Sequence, residues 1–243
     1  MSATADQERH GEARVLAFVP TLNDFDCLSD IVGRLEALRP DLRVLIVDDG
    51  SLASFDAARL TPNALYVRLP SNFGLGVATT VAMRHALRHG YRAVVRIDAD
   101  GQHPVERVPD LLAPIEAGEA DLVVGSRTNH HENWQIPARL IKGYFSLAAR
   151  LMTRGRAPRD VNSGFFAAGD RALELLAKAP LERFPEPELF IRACRAGLDL
   201  AEVPVEQDAR AHGASSIHAL NALTMFFRFN IFLINELTGT SER

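Results

Sequence analysis

The chain has 243 residues, of which 47% are hydrophobic, and it carries a formal net charge of -4 at pH 7. This length and this hydrophobic content allow one large α/β domain or two small ones, each with a sizeable core. The acidic balance argues against a nucleic-acid binder whose whole surface is basic, so any attraction to anions must be local. The two cysteines, Cys27 and Cys194, show neither C-x-x-C nor metal-type spacing, which favours a reducing cytosol.

The first 13 residues are polar and contain no apolar stretch of the kind that signal peptides have. We therefore expect residues 1–13 to form a disordered tail. We also expect a cytoplasmic protein, because no secretion signal is recognisable.

Short β-branched and aliphatic runs alternate with helical patterns along the chain. The alternation predicts βαβ units and a mostly parallel sheet with helices on both faces. The predicted strands are Val15–Val19, Val44–Val47, Ala64–Leu69, Ala93–Ile97 and Leu122–Val124, and the predicted helices lie near Asp26–Leu38, Leu75–His89 and Val105–Ala117.

The carboxyl ends of these strands are polar and mostly acidic. Four of them read Pro20–Asp24, Asp48–Ser51, Asp98–Gln102 and Gly125–Arg127. Because ligands of open α/β sheets bind beyond the carboxyl ends of the strands, we expect these four segments to converge on one site.

One strand end, in the segment V-V-R-I-D-A-D-G-Q-H-P, carries Asp98 and Asp100 one residue apart. Residues i and i+2 at a strand end project the same way, so the pair can hold a divalent cation, with Gln102 completing the group. Carboxylate and amide oxygens suit Mg²⁺ or Mn²⁺. Taken alone, the pattern also fits aspartates that merely close a strand into a turn.

The stretch from Asn133 to Arg159 contains no acidic residue, and its apolar residues recur at helical spacing. Such a basic amphipathic helix is typical of proteins that lie on an anionic membrane surface. A helix that covers the core with a solvated basic face fits the pattern equally well.

The segment Ile217 to Leu237 is apolar except for a narrow polar stripe. Arg228 and Asn230 interrupt it near mid-length, and the remaining apolar runs are too short for a transmembrane span. It is expected to pack on the domain, to join a second subunit in a homo-oligomer, or to dip into a membrane interface. The predicted division is therefore a domain over residues 14–216 followed by a C-terminal helix and tail over 217–243.

A set of motifs in a characteristic order gives the chain a family resemblance. They read V-P-T-L-N-D (Val19–Asp24), V-D-D-G-S (Val47–Ser51), S-N-F-G-L-G (Ser71–Gly76), D-A-D-G-Q-H-P, G-S-R (Gly125–Arg127), D-V-N-S-G-F (Asp160–Phe165) and R-A-H-G-A-S-S (Arg210–Ser216). The chain thus resembles family 2 glycosyltransferases, and within them the branch that transfers mannose or glucose to polyprenyl phosphates. The resemblance implies the glycosyltransferase A-type (GT-A) fold, a Rossmann-like α/β fold, here followed by C-terminal amphipathic helices.

The resemblance implies an inverting, metal-dependent transfer of a hexose from a nucleotide sugar to a polyprenyl phosphate. It credits Asp98, Asp100 and Arg127 with catalysis, and Asp98, Asp100 and Gln102 with binding the Mg²⁺ or Mn²⁺ ion. The donor is expected to contact Pro20, Asn23, Asp24, Asp49 and Asp98. The acceptor is expected to contact Ser126, Arg127, Arg139, Arg210 and Ser215.

Two positions depart from the family pattern. The family often has S-G-F-R where this chain has S-G-F-F, ending at Phe166, and Q-x-E where this chain has Glu186 to Glu188. Glu188 is expected to contact sugar hydroxyls, to act as a base toward an alcohol, or simply to sit in the first turn of a helix. The alternatives to the leading function are therefore the same fold acting on a soluble hydroxyl acceptor, and a non-catalytic nucleotide-sugar-binding protein. Nucleic acid is not an expected partner. The protein is expected in the cytoplasm, with a peripheral position on the cytoplasmic face of the membrane as one possibility.

Overall fold

The computed structural model describes residues 14–128, 136–178, 185–207 and 219–238. In this part of the chain one seven-stranded sheet has the strand order β3-β2-β1-β4-β6-β5-β7. The strands are β1 Val15–Thr21, β2 Leu42–Asp48, β3 Ala64–Arg68, β4 Ala93–Arg96, β5 Leu122–Arg127, β6 Phe166–Gly169 and β7 Leu200–Val205. Strand β6 runs antiparallel to β4 and β5, whereas the other pairings are parallel.

Helices cover both faces of the sheet. They are α1 Leu28–Leu38, α2 Leu75–Arg88, α3 Val108–Glu116, α4 Ile136–Met152, α5 Asp170–Lys178, α6 Glu186–Arg195 and α7 Ala219–Thr238, and short 3-10 turns lie at Ala57–Arg59 and Val105–Arg107. The mostly parallel sheet with helices on both faces is therefore confirmed.

Alternation along the strands separates two hydrophobic cores. On β1, Leu16 and Phe18 belong to the core shared with α2 and α4 to α7, and Ala17 and Val19 belong to the core shared with α1 and α3. Because successive side chains of a strand point to opposite faces, one apolar strand supplies both cores. A sheet buried on both faces then exposes its strand ends to ligands.

The five predicted strands correspond to β1 to β5, although β1 and β5 continue to Thr21 and Arg127. Two strands were not predicted. Strand β6, F-A-A-G, is short and rich in small residues, and β7 contains Pro204. Pro204 is tolerated because β7 lies at the edge of the sheet.

Helices α4 and α7 pack against each other. The rings of Phe145 on α4 and Phe229 on α7 lie 4.5 Å apart, and the Tyr144 hydroxyl donates to Asn230 Oδ1 at 2.7 Å. One face of α7 is thus buried against the domain, as one of the three alternatives expected. No described helix combines the length and the apolarity needed to cross a membrane. The predicted tail 1–13 and the predicted boundary at 216 lie outside the described residues.

Candidate active site

The strand ends predicted to converge lie at one edge of the sheet. In the sheet register Thr21 is paired with Asp48, Asp48 with Arg68, and Phe18 with Arg96. The parallel strands β1, β2, β4 and β5 end at this edge, and the antiparallel strand β6 begins there. The motif D-V-N-S-G-F, which immediately precedes β6, is therefore brought to the same edge.

Strand β4 ends at Arg96, so Asp98 and Asp100 lie in the turn that follows it, which we call the D-x-D turn. Arg96 and Asp98 are two residues apart, and their side chains project to the same side and meet. The Nε and Nη2 atoms of Arg96 both donate to Asp98 Oδ1, at 3.0 and 2.8 Å. Arg96 is 1% exposed, whereas the Asp98 side chain keeps 34% of its surface accessible. One carboxylate oxygen of Asp98 is therefore fixed by the protein, and the group as a whole still reaches solvent.

Burial alone raises the pKa of the Asp98 carboxyl, but the charge and hydrogen bonds of the Arg96 guanidinium bring that pKa below its usual range. Asp98 is consequently ionised at neutral pH.

The predicted metal ligands lie within five residues of one another after β4 and carry hard oxygen donors. Asp98, Asp100 and Gln102 are all half-buried, and Asp100 Oδ1 accepts a hydrogen bond from the Gln102 backbone N–H at 3.1 Å. Among the described residues no group of three or more His, Cys, Asp and Glu side chains is placed to hold a metal ion by itself. This donor set fits Mg²⁺ or Mn²⁺, because such ions are usually held by one or two carboxylates together with water and substrate phosphates.

His103, which follows Gln102, is a buried residue that contacts Asp98. It is 3% exposed, its ring stacks on Phe165 at 4.9 Å, and its Nδ1 accepts a hydrogen bond from the Asp98 backbone N–H at 3.0 Å. Burial lowers the pKa of His103, so the ring is neutral at pH 7 and Nε2 carries the proton. His103 therefore holds the backbone of Asp98 in place.

Gly164, in the D-V-N-S-G-F motif, lies directly against this group. A Cβ atom at Gly164 would lie 2.8 Å from both Arg96 Nη2 and Asp98 Oδ2. Any side chain at this position would have to displace one of them, so the glycine is required for the close approach of the two segments.

The carboxylates of V-D-D-G-S make structural contacts on the predicted donor side. Asp49 is 5% exposed, and its two oxygens accept the backbone N–H groups of Phe73 and Gly74 at 2.8 and 2.7 Å. Asp49 thereby binds the start of α2. A carboxylate has about four acceptor positions, and these two bonds leave some of them for a ligand. The predicted contact of Asp49 with a nucleotide base stays a prediction.

The preceding residue, Asp48, is fully buried and accepts hydrogen bonds from the Ser51 hydroxyl and the Tyr66 hydroxyl. Burial and the adjacent Asp48 carboxylate raise the pKa of Tyr66 to about 12, so Tyr66 remains a donor. Asp48 therefore ties the ends of β2 and β3 together.

Asn23 links the segment V-P-T-L-N-D to the residues at the end of V-D-D-G-S. Its backbone N–H donates to Ser51 Oγ and its Oδ1 accepts the Leu52 N–H, both at 2.7 Å. Its φ of 55° is in the left-handed region that asparagine tolerates. Pro20 lies within β1, and Asp24 is half-buried in the loop that follows.

On the predicted acceptor side, Arg127 forms an ion pair with Asp160 and both side chains are 15% exposed. Burial alone would raise the pKa of Asp160, but the hydrogen bonds and charge of Arg127 keep that pKa below its usual range. The Ser126 hydroxyl donates to Glu202. Arg210 and Ser215 lie outside the described residues, as does the side chain of Arg139 on α4.

Sequence reasoning missed Arg96 and left Glu186 without a role. Arg96 Nη1 donates to Glu186 Oε1 at 2.8 Å, and the two residues are 90 positions apart. The sequence signal for such a pair was the single arginine within the apolar run V-V-R-I, because a charge buried in a strand requires a partner of opposite charge. Glu188 lies in the first turn of α6, as one alternative expected, and is 2% exposed.

Comparison with known proteins agrees with this architecture. The sequence pattern of Glycosyl transferase family 2 matches residues 17–174. The chain is 33% identical over 216 residues to an undecaprenyl-phosphate mannosyltransferase of Micrococcus luteus, covering 84% of this chain and 87% of that protein. It is 30% identical over 227 residues to a polyprenol monophosphomannose synthase of Mycolicibacterium smegmatis, covering 88% and 85%.

Among solved structures, glucosyl-3-phosphoglycerate synthase of Mycobacterium tuberculosis in complex with Mn²⁺, uridine diphosphate and phosphoglyceric acid superimposes with a TM-score of 0.67. The match is 22% identical and covers 95% of this chain and 80% of the other. This likeness concerns the fold, which is the GT-A fold expected from the sequence. The fold, the ordered motifs and the family match together establish that the chain is a glycosyltransferase and belongs to glycosyl transferase family 2.

Proposed function

We propose that the protein transfers a hexose from a nucleotide sugar to a polyprenyl phosphate, with inversion at the anomeric carbon and with Mg²⁺ or Mn²⁺ at the D-x-D turn. The relative that is 33% identical is named for such a transfer and is matched over most of its length. The observation that carries the proposal is that Arg127, fixed at the end of β5 by its ion pair with Asp160, lies at the same edge of the sheet as the ionised Asp98 in the turn after β4.

The donor would lie along the ends of β1, β2 and β4. Asn23, Asp24 and Asp49, with Pro20, would contact the nucleoside, and Asp98, Asp100 and Gln102 would hold the ion beside the diphosphate. When bound, the ion neutralises the charge that grows on the leaving nucleoside diphosphate. Among the protein's own contributions, Arg96 and His103 hold Asp98 in a fixed orientation.

The acceptor phosphate is already an anion, so the reaction needs no strong general base. Its oxygen forms a bond to the anomeric carbon while the bond from that carbon to the diphosphate breaks, and no proton is transferred. What the site must supply is positive charge that brings one anion close to another. Arg127 is suited to this role, because its guanidinium is always charged and is held at the end of β5 by two hydrogen bonds to Asp160.

We further infer that the enzyme works on a membrane surface, which it contacts through α4 and α7. Each helix carries a row of exposed apolar side chains, and the two helices touch through Tyr144 and Asn230. The exposed residues are Leu140, Leu147, Leu151, Phe227, Ile231, Ile234 and Leu237; we call them the apolar surface.

The charges around the apolar surface are basic. The sequence has no acidic residue between Asn133 and Arg159 or between Ile217 and Asn235, and Arg150 and Arg228 are exposed. The one acidic residue of α7, Glu236, is 9% exposed and paired with Arg195 at 3.0 Å. Apolar side chains flanked by cations match a bilayer that contains anionic lipid, since basic residues near such a surface contribute about 1 kcal/mol each.

The transfer is tested by incubating purified protein with a panel of radiolabelled nucleotide sugars and three acceptors: a polyprenyl phosphate, the corresponding polyprenol, and a mixture of soluble small molecules. The proposal expects label in the lipid phase with the polyprenyl phosphate alone, and loss of transfer in EDTA with recovery on adding Mg²⁺ or Mn²⁺. Transfer only to soluble acceptors would replace it with the soluble-acceptor alternative, and undiminished transfer in EDTA would remove the metal.

Membrane contact is tested by flotation with vesicles of increasing phosphatidylglycerol content at several salt concentrations. Binding should rise with anionic lipid and fall with salt. If the protein stays unbound at low salt while light scattering shows a dimer, the apolar surface is an interface between two copies of the chain.

A further inference from the structure

The chain carries a buried charge cluster behind the D-x-D turn. Arg96 is 1% exposed and has one carboxylate on each side, Asp98 at 2.8 Å and Glu186 at 2.8 Å, of which Glu186 is 13% exposed. The cluster joins the end of β4 to the first turn of α6. A buried guanidinium in this setting must be neutralised, because burying a charge without a partner is very unfavourable.

The two carboxylates have unequal surroundings. Arg96 uses Nε and Nη2 on a single oxygen of Asp98, Oδ1. The other oxygen, Oδ2, faces Gly164 and lies 3.8 Å from His103 Nε2. Asp98 is the more accessible of the two carboxylates, with 34% of its side chain exposed, so it is the member of the cluster that a ligand can reach.

The net charge of the cluster depends on Glu186. With two carboxylates and one guanidinium the cluster has a net charge of -1. With glutamine at 186, which is the residue that the first position of Q-x-E would supply, the Arg96 charge would cancel that of Asp98. A divalent cation would then face a nearly neutral pair.

We propose that Arg96 and Glu186 form a positioning pair for Asp98. Arg96 fixes the orientation of the Asp98 carboxylate through Oδ1, and Glu186 offsets the Arg96 charge so that Asp98 presents a negative charge to a divalent cation. Glu186 acts in this scheme through Arg96 and touches neither donor nor acceptor. The inference rests on the proposed function in one respect, namely that a divalent ion binds at Asp98.

The test is the affinity for Mn²⁺, measured by electron paramagnetic resonance of the free ion with uridine diphosphate or guanosine diphosphate present. Glu186→Gln should raise the Mn²⁺ dissociation constant about tenfold or more, the order expected on removing one unit charge on the far side of Arg96 from Asp98. The conservative variant Glu186→Asp should retain wild-type affinity. Excess Mn²⁺ should restore kcat in Glu186→Gln, because the defect is in metal affinity.

The double variant Arg96→Gln/Glu186→Gln separates charge from structure. It removes one positive and one negative charge, so the cluster again has a net charge of -1, and Mn²⁺ affinity should recover well above that of Glu186→Gln even though the contact of Arg96 with Asp98 is lost. A purely structural role for the pair predicts instead that the double variant binds Mn²⁺ no better than Glu186→Gln, and this result would overturn the inference.

Asp121→Asn is the matched control. Asp121 is 15% exposed and paired with Arg171 at 2.8 Å, and it lies at the opposite end of β5 from the site. Its replacement should lower the melting temperature and leave Mn²⁺ affinity unchanged. If wild type binds Mn²⁺ and Glu186→Gln binds it equally well, the inference fails and the proposed function stands. If wild type does not bind Mn²⁺ with either nucleotide, both fail.

Discussion

Arg127 and Asp160 are 33 residues apart in the chain and meet as a two-pronged ion pair. Arg127 Nε lies 2.5 Å from Asp160 Oδ2, and Nη2 lies 2.8 Å from Oδ1. The pair joins the end of β5 to the loop before β6, and it fixes the plane of the guanidinium at the predicted acceptor side. Two motifs that the sequence presents separately, G-S-R and D-V-N-S-G-F, are thus one structural unit.

The Arg127–Asp160 pair should make stability depend on acid. The pKa of Asp160 in the folded protein lies below its ordinary value of 3.8, so its contribution is complete above about pH 5 and is lost as the pH falls through the folded-state pKa. Asp160→Asn should lower the free energy of unfolding by about 3 kcal/mol at pH 7. Urea unfolding should show the difference from wild type shrinking below pH 4. A difference that is the same at pH 7 and pH 3 would exclude the ionised pair as its cause.

Asp100→Asn should lower turnover by about a hundredfold or more while the fold survives. A divalent ion at the diphosphate is worth several kcal/mol of transition-state stabilisation, and each 1.4 kcal/mol corresponds to about a tenfold change in rate. The measurement is steady-state transfer at saturating donor, with circular dichroism to verify folding. Wild-type turnover in this variant would contradict the assignment of Asp100 as a metal ligand.

Arg127→Ala should reduce kcat/KM toward a polyprenyl phosphate by about tenfold or more, because a hydrogen bond to a charged group contributes about 1.5–3 kcal/mol. Donor affinity should change little. Glu188→Gln, in contrast, should keep most of its activity, since an anionic acceptor has no proton to remove. An inactive Glu188→Gln enzyme together with a fully active Arg127→Ala enzyme would point to a neutral hydroxyl acceptor.

Gly164→Ala should disturb the site strongly, although it adds only one methyl group. The added methyl group would lie 2.8 Å from Arg96 Nη2 and Asp98 Oδ2, and overpacking of this kind costs about 1–3 kcal/mol. We expect a lower melting temperature together with weaker Mn²⁺ binding. Gly33→Ala is the control, since the same methyl group on α1 meets no atom within 4 Å and should raise stability by about 0.5–1 kcal/mol.

Replacing Ile231 and Ile234 on α7 by asparagine should weaken vesicle binding without unfolding the protein. Both side chains are 58% exposed, so they contribute little to the core, and inserting each into lipid is worth up to about 1.5–3 kcal/mol. We expect roughly tenfold weaker binding per residue in flotation. The control is Leu87→Asn on α2, where leucine is 38% exposed and outside the apolar surface. Equal losses in both variants would argue against a specific membrane face.

The sequence by itself determined the class of fold and the edge of the sheet at which the motifs of the candidate site meet. Strands that are apolar throughout, such as V-L-I-V before Asp48, predict a sheet buried on both faces, and the polar residues that end them predict a ligand edge. These properties depend on neighbours within a few positions, which periodicity reports directly. The order of the motifs then predicted the family that the comparisons confirm.

Only the tertiary structure decided which residues are partners. The antiparallel strand β6 enters between β4 and β5 and brings Gly164 against Asp98. The pairing of Arg96 with Glu186 spans 90 positions, and the periodicity of α7 could not tell that Phe229 is buried while Ile231 is exposed. Such choices depend on the packing of distant segments and on the need of each buried charge for a counter-charge, and no local pattern encodes either of them.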